Sequence, residues 1–211
     1  MVEKICTSLT NKIRKEMPDI DDERAEIINY GLQLVFGEIP KTLILIAIAW
    51  ILGVLKYTIL ALLLILPYRT VSGGVHLKTH IGCIIATTIM YTGNAFLSQY
   101  IIWNPIYLKY IVVFAIWIFS MIMIKKYAPA DTEEVPILRE KERKTKKLLS
   151  YIFMTITLVC GILVKNNIIS NILIIGVLFQ TISITKFVYK ITDNKYGYEE
   201  YIKTKTAEDS N

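Results

Sequence analysis

The chain has 211 residues, 54% hydrophobic and 20% charged, with a mean hydropathy of +0.46. That apolar excess, gathered into long runs, excludes an ordinary soluble domain and marks a membrane protein. The net charge of +6 flanks the apolar runs, where it sets topology and touches anionic headgroups; with no recognised module beside it, no nucleic-acid partner is expected.

Residues 1–12 hold no apolar core followed by a small-residue cleavage site, so no secretory signal peptide is expected there. Over 3–17, Ile5, Leu9, Ile13 and Met17 recur at helical spacing with Cys6 beside them, which predicts an amphipathic helix ended by Pro18. Asp21 or Asp22 then caps a second helix over 23–36, with Ile27, Ile28, Leu32, Val35 and Phe36 on its apolar face. Both helices are expected on the membrane surface.

Beyond Pro40 the chain turns intensely apolar. Segments 42–55 and 57–66 flank Lys56 and read either as one long span or as two short, tilted ones. Further spans are predicted over 80–103, 106–124, 148–164 and 168–188. Lysine and arginine number six over 1–41, eight over 125–147 and five over 186–211. All three segments share the cytoplasmic side only when an even number of spans separates each pair, and two spans within 42–66 meet that condition. The expected fold is an all-α polytopic membrane helix bundle of about six spans, multi-pass in the cell membrane with both termini cytoplasmic. No repeat or linker divides it. One membrane domain is expected over 1–211: interfacial helices over 1–40, a transmembrane bundle over 41–188 and a cytoplasmic tail over 189–211.

Cys83, Thr87, Tyr91, Asn94 and Ser98 recur at steps of four, four, three and four, which places them on one helix face. Such a polar stripe points into the bundle, either as a packing seam or as a functional face, because polar groups facing lipid are costly. Cys6, Cys83 and Cys160 lack metal-type spacing, and their odd number argues against a disulfide framework. They are expected to be reduced thiols, with Cys83 on the cytoplasmic side.

Both histidines of the chain fall within seven residues of Cys83, in the stretch Arg69-Thr-Val-Ser-Gly-Gly-Val-His76-Leu-Lys-Thr-His80-Ile-Gly-Cys83. A cysteine attacks as thiolate, and an ordinary thiol with a pKa of about 8.5 is mostly protonated at neutral pH. A helix N-terminus favours the negative sulfur, and a nearby imidazole can take its proton. The same free N–H groups suit an acyl oxyanion, and Arg69 adds positive charge. Seven residues of straight helix rise about 10.5 Å, too far for a direct His76–Cys83 hydrogen bond. His80, three residues from Cys83, meets it on one face; His76 does so only if the segment leaves regular helix, as Gly73, Gly74 and Gly82 permit. His76, His80 and Cys83 also have a spacing that can ligate zinc, but no glutamate follows His76, so the H-E-x-x-H form is absent. No metal and no other cofactor is expected.

The run Arg69…Gly73-Gly74-Val75-His76…Cys83 resembles the signature of AgrB, the accessory gene regulator B family of quorum-sensing membrane endopeptidases. The stretch Tyr127-Ala-Pro-Ala-Asp131-Thr-Glu-Glu-Val-Pro136 resembles a second segment of the same family. The resemblance implies that the protein cleaves the C-terminal part of an AgrD-type signalling propeptide at the cytoplasmic membrane face. Cys83 would match the nucleophile and His76 its partner base, which decides between the histidines against His80. The acyl-enzyme thioester would be captured by a propeptide side chain, usually cysteine, to give a thiolactone ring. Arg69 and Gly74 match positions preceding the histidine and are expected to position rather than carry protons. The resemblance also implies a homodimer. Asp131 either orients His76 or caps a helix over 132–134, the cap being the simpler reading. The competing functional classes are a non-enzymatic transporter or channel component, and a zinc-dependent membrane hydrolase.

Overall fold

The computed structural model describes residues 2–17, 20–75, 77, 80–133 and 136–208. Nine helices are formed among them: α1 (Val2–Glu16), α2 (Asp22–Ile51), α3 (Leu55–Ser72), α4 (His80–Tyr100), α5 (Tyr107–Tyr127), α6 (Glu140–Leu163), α7 (Asn167–Ser183), α8 (Lys186–Ile191) and α9 (Gly197–Glu208). The chain forms two compact units, Met1–Ile48 and Ala49–Asn211. The all-α bundle expected from hydropathy is observed. Five helices are long and apolar enough to cross a membrane, and α7 is a sixth, shorter apolar helix.

Within the first unit, α1 buries Cys6 and Thr10 and leaves Ile5 exposed, and Met17 just beyond its end is exposed too. The Thr10 hydroxyl donates to the Cys6 carbonyl at 2.9 Å, and Arg14 reaches Asp22 at 2.6 Å. Asp21 caps the next helix, its Oδ1 accepting from the Arg24 backbone N–H at 2.8 Å. The separate surface helix expected over 23–36 is corrected here. It continues through Pro40 into the first apolar segment as the single helix α2. Proline removes only one backbone donor, and in an apolar setting the remaining N–H and C=O groups are best satisfied by keeping the helix going.

The first true stop is Gly53, whose φ of +68° only glycine adopts freely. The Gly53 N–H reaches the Trp50 carbonyl at 3.0 Å and the Val54 N–H the Ala49 carbonyl at 2.9 Å, a Schellman closure that satisfies the end of α2. Segments 42–55 and 57–66 therefore belong to two helices. They part at Gly53, just before Lys56.

In the second unit α7 is the axis. It packs against α3, α4, α5 and α6, and Ile172, Ile174, Val177, Gln180 and Thr181 on it are almost fully buried. A helix apolar all round is suited to that position. Gly176 lets α3 and α4 approach it: a Cβ there would lie 2.4 Å from Ile65 Cδ1 and 3.0 Å from Asn94 Nδ2. The stripe on α4 faces inward, as expected. Asn94 Nδ2 donates to the Ile172 carbonyl at 3.1 Å, Ser98 Oγ to Asn94 Oδ1 at 3.1 Å, and Asn171 Nδ2 to the Ser98 carbonyl at 2.9 Å. Large apolar side chains such as Leu63, Ile89, Phe114 and Leu163 cover the outside, which suits lipid.

Candidate active site

The site is built where α3 ends. Gly73 terminates that helix with φ +72°, its N–H returning to the Arg69 carbonyl at 3.0 Å. The Gly74 N–H then donates to the Ala130 carbonyl at 2.9 Å, and the Ala130 N–H to the Ser72 carbonyl at 2.8 Å. This short parallel bridge ties the diglycine turn to the loop after α5. It is why position 73 has no room for a side chain: a Cβ there would sit 2.2 Å from the Ala130 oxygen.

Gly74 is buried with φ +147°, and a Cβ on it would meet Ser183 Oγ at 3.0 Å and Arg69 Nη1 at 3.6 Å. Both glycines are thus required by backbone conformation and by close neighbours.

Beside the turn lies a mostly apolar groove of about 420 Å³, with Arg69, Cys83, Thr87, Met90, Phe179 and Ser183 among its lining residues. Cys83 is half-buried in the first turns of α4, so the sulfur stands near the N-terminal end of a long helix. The helix dipole there favours negative charge. The structure brings Arg69, Gly74 and Cys83 to one end of the bundle. His76 lies outside the described residues, and His80 is described only as the first residue of α4. The choice between the two imidazoles, and the zinc reading that needs both, therefore involve side chains outside the description.

Asp131 is placed differently from the simpler expectation. Among the described residues of 132–134, Thr132 and Glu133 are not helical, so no helix is capped there. Instead Asp131 Oδ2 accepts from the Ile137 backbone N–H at 2.9 Å and from Arg143 Nη1 at 2.8 Å, closing the loop between α5 and α6. Its Oδ1 is buried and receives no hydrogen bond among the described residues. The Asp131 carbonyl accepts from the Tyr189 hydroxyl at 3.1 Å. Tyr189 stacks on Tyr196 at 4.1 Å between centroids, and Tyr196 in turn on Tyr127 at 5.8 Å. Burial pushes both the Tyr189 and Tyr196 hydroxyls well above the ordinary tyrosine range, which keeps them as neutral donors. The stack fastens the C-terminal segment to the loop that carries Asp131.

Sequence reasoning missed Gln180. Its side chain is fully buried, its Oε1 accepts from Arg69 Nη1 at 3.1 Å, and its Nε2 donates to Ser72 Oγ at 2.9 Å and to the Gly73 carbonyl at 2.7 Å. The available signal was a carboxamide inside the apolar run 168–188, which holds Asn171 and Gln180, a feature that marks polar function or polar packing in a span.

The family model for accessory gene regulator B matches residues 6–184. The chain belongs to that family. It is 29% identical over 211 residues to an AgrB-like protein of Clostridium acetobutylicum, covering 97% of this chain and 95% of the relative. It is 30% identical to AgrB-like proteins of Listeria monocytogenes, over 86% of this chain and 87% of the relative, and of Clostridium perfringens, over 88% and 92%. No solved structure matches it. Family membership and the apolar helices together make this a multi-pass membrane protein of the Agr system, in which a propeptide is the implied partner.

Proposed function

We propose that this protein is a membrane cysteine endopeptidase that removes the C-terminal part of an AgrD-type propeptide and closes the remainder into a thiolactone. The observation that carries the reading is the shared groove: Cys83 and Arg69 line one apolar cleft beside the diglycine turn. An apolar, half-closed cleft suits a membrane-associated peptide and limits the access of water.

Written with its atoms balanced, the reaction has two steps. His76 takes the Cys83 proton, and the thiolate adds to a propeptide carbonyl. The C–N bond then breaks, the imidazolium proton passes to the leaving amine, and the acyl group remains on sulfur as a thioester. A thiol within the bound peptide next loses its proton to the imidazole and attacks the thioester. Its sulfur forms the ring bond, and Cys83 leaves as thiolate to recover that proton. Thioester exchange is close to balanced in free energy, and holding the incoming thiol beside the acyl carbon raises its effective concentration by orders of magnitude.

Arg69 supports the developing negative charge on the carbonyl oxygen, and Gly74 gives the substrate backbone room beside it. Asp131 offers a buried carboxylate oxygen of the kind that orients an imidazole. The site faces the cytoplasm in this reading, with both termini on that side and the whole chain acting as one membrane domain in a homodimer.

The test is co-expression with a propeptide followed by mass spectrometry. Cys83→Ala and His76→Ala are expected to abolish cleavage, His80→Ala to retain it, and wild type to yield a peptide adduct on Cys83. Maturation that survives Cys83→Ala would refute the reading. A transporter would leave the peptide's covalent state unchanged in every variant, and a zinc hydrolase would lose activity with His80→Ala and with chelator.

A further inference from the structure

We infer that Gln180 on α7 is a positioning residue whose carboxamide oxygen holds the Arg69 guanidinium at the groove, so that Gln180 acts on the reacting acyl group through Arg69. The inference rests on the proposed acylation of Cys83.

Three observations carry it. Arg69, near the end of α3, lines the groove that Cys83 also lines, where a long, flexible side chain would otherwise sample many rotamers. Its Nη1 donates to Gln180 Oε1 at 3.1 Å, across 111 residues of sequence. The carboxamide cannot be turned around: guanidinium is donor only and the Gly73 carbonyl acceptor only, so the oxygen must face Arg69 and the nitrogen the glycine. Gln180 is itself held, with Nε2 on Ser72 Oγ at 2.9 Å and on the Gly73 carbonyl at 2.7 Å. One buried amide thus links the arginine, the diglycine turn and the rigid central helix. A buried acceptor at this position fixes the direction of the guanidinium at the groove.

The experiment is a double-mutant cycle on the full-length protein in detergent. It uses a synthetic AgrD-type propeptide with one internal cysteine as the probe. Adduct formation on Cys83 is followed by mass spectrometry and kcat and KM by product release, for Gln180→Leu, Gln180→Glu, Arg69→Ala and Gln180→Leu/Arg69→Ala.

Gln180→Leu is expected to lower kcat by about tenfold to a hundredfold with KM changed less than about threefold. Gln180→Glu, which keeps an acceptor for Arg69 and loses the donors to Ser72 and Gly73, is expected to react at least about tenfold faster than Gln180→Leu. In the Arg69→Ala background Gln180→Leu should add less than about threefold. The inference is overturned if the two losses multiply, if the loss falls on KM alone, or if Gln180→Glu is no faster than Gln180→Leu. The last result would mean that Gln180 only braces the turn. Absence of any wild-type adduct on Cys83 would remove the proposed function and this inference together. An adduct with multiplicative losses would remove this inference alone.

Discussion

Asp131 and Arg143 form an ion pair at 2.8 Å in which the carboxylate side chain is 1% exposed and the guanidinium 19%. The pair joins the loop after α5 to the first turn of α6. Arg143 reinforces the joint by lying 4.1 Å over the Tyr198 ring, and with Nη2 on the Pro129 carbonyl at 3.4 Å.

The first prediction follows from that burial. Truncating one partner of a buried pair leaves the other charge without compensation, a loss of about 3–5 kcal/mol. Arg143→Met is expected to destabilise the protein by about 3 kcal/mol, and Arg143→Lys by less because it keeps the charge and loses the planar fork. Thermal unfolding of the detergent-solubilised protein measures both. Equal melting temperatures for wild type and Arg143→Met would show that the pair contributes nothing to the loop.

A second prediction separates glycines required by geometry from one that is not. At position 73 a Cβ would lie 2.2 Å from a backbone oxygen, whereas at Gly93 within α4 nothing lies within 4 Å of it. Gly73→Ala is expected to abolish maturation because neither backbone can yield without breaking the bridge to Ala130. Gly93→Ala should leave maturation intact and raise stability by about 0.5–1 kcal/mol, the usual difference between the two residues in a helix interior. Product analysis together with unfolding curves decides, and an active Gly73→Ala protein would contradict the turn geometry.

The third concerns the start of α6. Lys144 and Lys146 pair with Glu140 and Glu142 on the same helix at 2.6 Å and 2.9 Å, and Lys147 Nζ donates to the Lys125 carbonyl at 2.6 Å. Exposed pairs of this kind are worth about 0–1 kcal/mol each, so an incoming acidic peptide tail can exchange for them. Replacing Lys144, Lys146 and Lys147 with glutamine should raise the apparent KM roughly threefold to tenfold with kcat unchanged. Initial rates at fixed ionic strength are the measurement. An unchanged KM would end the idea of an acidic tail docking there.

Much of the architecture was readable in advance because membrane hydropathy and helical periodicity are local signals. The inward stripe of Tyr91, Asn94 and Ser98 and the cap at Asp21 each follow from residues within a few turns of one another. The continuous helix through Pro40 was not readable. Proline weakens one hydrogen bond, and whether a helix survives that loss depends on the surroundings of its other backbone groups. The exchange of a helix cap at Asp131 for a pair with Arg143 was hidden for a similar reason. Short-range capping and a cation twelve positions away compete for one carboxylate, and only the path of the loop decides between them.

The order of residues alone determined that this chain is a polytopic helical membrane protein with a thiol, two imidazoles, an arginine and a diglycine in one short segment. It also carried the motifs of the accessory gene regulator B family, since motif and hydropathy are properties of neighbours along the chain. Only the tertiary structure decided what stands across from that segment: Ala130 against Gly73, and Gln180 against Arg69. Those partners lie tens to more than a hundred positions away. Their meeting depends on how α3, the loop after α5 and α7 pack, and local pattern leaves that unspecified.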